Sequence, residues 1–303
     1  MAIRIITVPY DSGHRAERMG RGPAHLLNRG DLPHRLRHVD PDTRILPVET
    51  GTGFATEIGS AFELHRAVAR EVAAAARAGA LPLVLSGNCN SAVGTVAGLR
   101  AASPDEPVGV VWFDGHGDCN TPETFTGDFL DAMGLSTLTG RCWQALAATV
   151  PGFRPVPDEH VVLVGGHGMD DGARGVLNAS RVTNVPTADI LARGPDEALK
   201  PALDALRRRG VSRVYLHLDV DVLDATFAPA NEFAPEGGLL PDHVAEAVEA
   251  VAGRFTIAAA AVASYDPAHD RDDRVLQAAL RVLELAAARH RQEPSGENSP
   301  ARP

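Results

Sequence analysis

Six short apolar runs, at 3–8, 82–85, 108–113, 160–164, 213–218 and 255–262, punctuate the chain. Each is continuous rather than alternating and rich in Val, Ile and Leu, as expected for strands buried on both faces. Between them lie longer Ala- and Arg-rich stretches, near 61–79, 91–101, 196–209, 241–252 and 272–288, that read as helices. In the first, Phe62, Leu64, Val68 and Val72 recur at helical spacing while Glu63, Arg66, Arg70 and Arg77 fill other faces. Strand–helix alternation along the whole length predicts a parallel sheet with helices on both sides, a three-layer α/β fold. Neither a composition shift nor an internal repeat divides residues 1–289, which read as one domain. Residues 290–303, with Gln-Glu-Pro-Ser-Gly-Glu-Asn-Ser-Pro, read as a disordered tail.

Charge and composition narrow the function classes. Lys plus Arg total 29 against 39 Asp plus Glu, a net charge of -10 that disfavours nucleic acid and anionic membranes as partners. Lys200 is the only lysine, which excludes a Walker-type G-K-[ST] loop. Cys89, Cys119 and Cys142 are too few and too scattered for a disulfide framework or a zinc ribbon. The N-terminus lacks a secretory apolar region, and no apolar run reaches the roughly 18 residues of a membrane span. A cytoplasmic protein with a small-molecule partner is the expectation.

In an open α/β sheet, ligands bind beyond the carboxyl ends of the strands. Three predicted strand ends carry unusual chemistry there: Ser86-Gly-Asn88-Cys-Asn90-Ser91, Asp114-Gly-His116-Gly-Asp118-Cys-Asn120-Thr-Pro-Glu-Thr124, and Asp219-Val-Asp221-Val-Leu-Asp224. Any one alone reads equally well as a capped strand-to-helix loop. Together they do not. Asp114, Asp118, Asp219 and Asp221 alternate along short extended segments, so the members of each pair point the same way. Four carboxylates in a partly buried cleft cost roughly several kcal/mol each without compensation. Two divalent cations would neutralise them, His116 adds an imidazole ligand, and oxygen-rich donors favour manganese over zinc or copper. A pair of such ions about 3.5–4 Å apart activates water at neutral pH.

With these motifs the chain resembles the arginase–agmatinase family of ureohydrolases, marked by G-G-D-H-S, D-A-H-x-D-x-N and S-x-D-x-D-x-x-D-P. The likeness runs from Thr7-Val-Pro-Tyr10 and Gly20-Arg-Gly-Pro23 to Tyr265-Asp-Pro267, nearly the whole chain. It implies a parallel eight-stranded αβα sandwich, two manganese ions, and hydrolysis of an amidino carbon, usually releasing urea. Carried over by position, Asp114 and Asp219 bridge the ions, Asp118 completes the first site, and His116 with Asp221 the second. Asp118, Asp131 and His116 are the implied catalytic residues. Asn120 matches a residue gripping the amino-acid end of the substrate, and Asp170 one receiving an α-ammonium. An oligomer, a trimer or hexamer in much of the family, is also implied.

Four departures bear on the substrate. Asn90 is read at the family's metal-binding His, a weaker neutral ligand that leaves the first ion loosely held. Asp131 stands at the proton-shuttling His, Ser264 at the Glu that clasps guanidinium, and Phe233 at a small hydroxyl residue. Losing a carboxylate partner for guanidinium costs a few kcal/mol of binding. A less basic N-hydroxyguanidine, as in N-hydroxyarginine, tolerates Ser264 better. The alternatives are hydrolysis of a formimino or agmatine-like compound, and a catalytically silent member that binds a metabolite. Cys89 and Cys119, beside presumed ligands, are expected to point into packing, and His217 to be a core histidine.

Overall fold

The computed structural model describes residues 2–125, 127 and 129–290. The tail expected at 290–303 therefore lies, beyond His290, outside the described residues. Eight strands make one sheet: β1 Ala2–Val8, β2 Arg44–Pro47, β3 Ala80–Ser86, β4 Val108–Asp114, β5 Val161–Gly165, β6 Thr183–Pro186, β7 Arg213–Asp219 and β8 Thr256–Ala263. Their order across it is β2-β1-β3-β8-β7-β4-β5-β6, and every pairing is parallel. The six apolar runs became β1, β3, β4, β5, β7 and β8. The edge strands β2 and β6 escape the pattern because each has a neighbour on one side only. Ile45 and Asn184 stay exposed, and no continuous apolar run forms.

Successive residues of the inner strands feed two separate cores. Leu81, Leu83 and Leu85 of β3 and Val111 and Phe113 of β4 face one side, while Val84, Val110 and Trp112 face the other. The second face is covered by helices α1 Glu57–Arg77, α2 Ala92–Ala102 and α3 Asp171–Asn178, the first by α4 Pro195–Arg208, α5 Pro241–Ala252 and α6 Arg274–Arg289. The result is the three-layer arrangement. Helix α1 starts at Glu57, earlier than its apolar pattern, because the Thr56 side chain accepts the Gly59 N–H and caps it. Helix α2 lies tight against α1: a Cβ on Gly94 or Gly98 would meet the carbonyl of His65 or Ala69 at 2.5 or 2.6 Å. That contact fixes the turn between β3 and α2, where part of the site is built.

Candidate metal centre

Strands β3, β8, β7 and β4 lie side by side in the middle of the sheet, so the segments leaving them share one rim. β8 comes between the β3 turn and the two acidic motifs, so the three motif strands are not all adjacent. The register Phe113↔Leu218 sets Asp114 beside Asp219, and Ala263↔Asp219 sets Ser264 one step beyond.

All four aspartates converge and all are buried. Alternation along extended chain is not the cause. Gly117 and Asp118 turn the backbone through the left-handed region, at φ 84° and 48°, and Asp219 Oδ1 accepts the Asp221 N–H at 2.8 Å to fold Val220–Val222 into one tight turn. Asp114 is held by Trp112 Nε1, which donates to Oδ2 at 2.7 Å, and by the Gly117 N–H, which donates to Oδ1 at 2.8 Å. His116 Nδ1 lies 3.1 Å from Asp221 Oδ2. Donor atoms of Asp114, His116 and Asp221 fall within 4.8 Å of one another, as do those of Cys89, Asp114 and Asp219. Asp114 belongs to both groups.

The electrostatics call for a cation. Burial, then the Asp221 charge, push Asp114 up to about 6. Burial and the neighbouring aspartates push Asp118 and Asp219 well above the usual carboxylate range. Burial pulls His116 down, but the carboxylates of Asp221 and Asp114 outweigh it and raise the imidazole to about 9. Burial would also raise Asp221, yet the His116 charge and the Gly115 N–H hold it below its ordinary value. Asp118 Oδ2 is buried and, among the described residues, has no hydrogen-bond partner. One imidazolium cannot balance four buried carboxylates, whereas divalent ions can. The donor set fits them.

Two residues of the β3 turn are placed differently from expectation. Asn90 turns away from the carboxylates, with Oδ1 2.9 Å from His65 Nε2. Cys89, expected in packing, points into the cluster: Sγ lies 2.9 Å from Asp219 Oδ2 and 3.3 Å from Ser264 Oγ. The turn is held by Asp131, which accepts the N–H groups of Cys89 at 2.9 Å and Asn90 at 2.7 Å and the Asn88 amide at 3.0 Å. Burial, offset by those donors, puts the Asp131 carboxyl at about 7. Cys119 packs as expected, its Sγ donating to the Gly117 carbonyl at 3.0 Å. His217 is a core residue stacked on Trp112 at 3.7 Å, with Nδ1 2.8 Å from the Tyr215 hydroxyl.

Above this floor opens a cavity of 790 Å³ whose wall includes His116, Asp118, Asn120, Asp131, Asp170 and Ser264. Asn120 Nδ2 donates to Asp170 Oδ2 at 2.8 Å, and Asp170 Oδ1 caps α3 through the Ala173 N–H at 2.8 Å. Phe233 is half exposed and its ring lies 5.4 Å from that of Phe129.

The model of the Arginase family matches residues 1–288. The chain belongs to the arginase family. Among curated relatives, the arginase of Bacillus caldovelox is 28% identical over 93% of this chain and 96% of its own, and a Staphylococcus aureus arginase 27% over 93% and 95%. The crystal structure of the Bacillus caldovelox arginase superposes with a TM-score of 0.84 at 27% identity, covering 94% of this chain and 98% of that one.

The arginase-family motif G-G-D-H-S agrees with the inward placement of Cys89. Gly87 stands at its second glycine, and the histidine follows that glycine by two residues, which is Cys89 and not Asn90. Anchoring the motif on Gly87 rather than on the polar asparagine was the available signal. The departure at this position is therefore a cysteine.

Proposed function

We propose that this chain is a manganese-dependent amidinohydrolase that cleaves a linear C–N bond in a guanidino compound and favours an N-hydroxyguanidine head group over guanidinium. The buried cluster of Asp114, Asp118, Asp219, Asp221, His116 and Cys89 supports the metal-dependent chemistry. Two ions would be held here, one by Cys89, Asp114 and Asp219 and the other by Asp114, His116 and Asp221, with Asp118 adding its carboxylate to the first. When bound, they supply an activated water at neutral pH and polarise the amidino carbon. Asp131 positions the Cys89 turn, and its carboxyl on the cavity wall is placed to exchange a proton with the departing nitrogen. Three free cysteines agree with a reducing, cytoplasmic setting.

Cys89 sets the ion preference. Thiolate is a softer donor than imidazole or carboxylate and suits manganese less well. Cys89→His is expected to bind manganese more tightly than the wild type, while Asn90→His, beside His65, leaves affinity unchanged. Calorimetric titration of the three proteins with manganese checks both halves, and tightening by Asn90→His alone would return the ligand to that residue.

The head-group preference rests on Ser264. It is buried at the floor, with Oγ near Cys89, and offers no charge to a guanidinium. A guanidinium carries its charge into the site, whereas an N-hydroxyguanidine is far less basic, can enter neutral, and presents an O–H to hydrogen-bond. N-hydroxyarginine is expected to show kcat/KM at least about tenfold above arginine, a difference of about 1.4 kcal/mol. Ser264 sits at φ 61°, a conformation no more strained for Glu than for Ser, so Ser264→Glu is expected to move preference toward arginine. Arginine used as well as or better than N-hydroxyarginine by the wild type removes this reading.

A further inference from the structure

The cavity reaches beyond the metal ligands to the hairpin that leaves β1, Tyr10–Asp11 paired antiparallel with His14–Arg15, and to the segment after it. Arg18 on that segment lines the wall. It is the single Lys or Arg there, among carboxylates that include Glu17, Asp118, Asp131 and Asp170. Its Nε donates to Asp11 Oδ2 at 2.8 Å. Asp11 is fully buried, yet the Arg18 side chain remains 47% exposed, so the guanidinium is fixed at its base and open at its fork. Among the described residues, no partner is seen for Nη1 or Nη2.

The anchor is itself built in. Asp11 Oδ1 accepts Ser12 Oγ at 3.1 Å and the Asn88 amide at 3.3 Å, and Asn88 Oδ1 accepts the Ser12 N–H at 2.8 Å. A Cβ on Gly87 would lie 2.2 Å from the Tyr10 carbonyl, so glycine is what lets the hairpin settle on the β3 turn. Three non-glycine residues of this segment, Ser12, Ala16 and Arg18, sit in the left-handed region at φ 49°, 57° and 39°. Such conformations are strained for non-glycine residues and persist where surrounding contacts over-determine them, commonly at ligand clamps.

The Asn120–Asp170 part of the wall offers no cation. Both oxygens of Asp170 are engaged, by Ala173 and Asn120, and Asn120 Oδ1 accepts Thr124 Oγ1 at 2.9 Å. Phe129 and Phe233 add an apolar stretch suited to methylene groups.

We infer that Arg18 is the carboxylate subsite of this cavity, its Nη1 and Nη2 pairing side by side with a terminal carboxylate of the substrate. A planar guanidinium held through Nε presents the remaining two donors in the geometry a carboxylate accepts bidentately. The substrate class becomes an amidino or guanidino compound that carries a carboxylate at the far end, and decarboxylated amines such as agmatine are disfavoured. The head group rests on the amidinohydrolase reading above; the tail rests on Arg18.

Binding to the manganese-loaded full-length protein tests this without requiring turnover. Ornithine carries the carboxylate and putrescine is the same diamine without it, so calorimetry with both isolates that group. Arg18→Gln is expected to weaken ornithine by at least about tenfold while leaving putrescine within about twofold. Arg18→Lys keeps a charge over Asp11 but loses the fork, and is expected to fall between. Unchanged putrescine binding is the internal check that the Asp11 anchor and the fold survive. Equal loss of both ligands, loss of neither, or no measurable ornithine binding by the wild type overturns the assignment. Arg18-dependent ornithine binding without hydrolysis of any guanidino compound would instead refute the proposed activity and leave the subsite standing.

Discussion

Asp118→Asn is expected to lower kcat/KM by at least about a thousandfold, to release the ion on the Cys89 side, and yet to raise the melting temperature of the metal-free protein. The opposite signs follow from one geometry. Asp118 is buried, its Oδ2 has no partner, and the charges of Asp114, Asp131, Asp219 and Asp221 all act against its ionised form. Only a cation stabilises that carboxylate. Without the ion, replacing a repelled carboxylate by a neutral amide of the same shape relieves repulsion. With manganese present, the charge that held it is gone. Metal analysis after dialysis, kcat/KM on whichever head group proves active, and melting curves with and without manganese read the three effects. Wild-type turnover, or a metal-free variant that melts below the metal-free wild type, would falsify the account of this cluster.

Removing the metal is expected to make stability fall as pH rises from about 6.5 to about 9, and adding manganese to cancel that fall. The raised His116 contributes stability that is complete below its unfolded value near 6.5 and is lost as pH passes its folded value of about 9. Asp114 and Asp131, raised to about 6 and about 7, act in the same direction at lower pH, between their unfolded values near 3.8 and those folded values, and Asp118 and Asp219, raised well above the carboxylate range, extend that fall. The lowered Asp221 is already ionised throughout this window and adds no slope. Below 6.5 two histidines act in the opposite sense. Buried His65 and His217, lowered to about 4 and about 3 chiefly by desolvation, lose stability as the unfolded chain takes up protons. The four raised carboxyls outnumber the two lowered histidines, so the metal-free protein should go on gaining stability as pH falls below 6.5 toward 5. Bound manganese requires deprotonated ligands, so its stabilising effect grows with pH over the same range. Melting temperatures from pH 5 to 9, in chelator and in manganese, decide it; a metal-free protein that gains stability between pH 7 and 9 would rule out the crowded-carboxylate description.

The local sequence was enough for what depends on local burial and on residue type. Continuous apolar runs marked the six strands with neighbours on both sides, because such strands have no solvent face to interrupt the pattern. The edge strands carried no such mark. The aspartates at the ends of β4 and β7, with His116, announced a cation site by their number alone, since no buried core tolerates that much uncompensated charge.

The tertiary structure decided which atoms meet. Asn90 and Cys89 are chain neighbours of similar polarity in one tight turn, and which of them faces the carboxylates is set by Asp131, far along the chain, gripping their backbone N–H groups. Convergence of Asp118 on its partners came from a left-handed turn that periodicity does not encode. Arg18 was one arginine among many in the sequence. Its placement depends on Asp11, and Asp11 in turn on the contact of its segment with Gly87 and Asn88, 77 residues along the chain. Hydrophobic patterning reports each residue's solvent environment, which the chain carries locally. Ligand sets and charge anchors are pairings between distant segments, and only the packing of β1, β3, β4 and β7 brings those partners together.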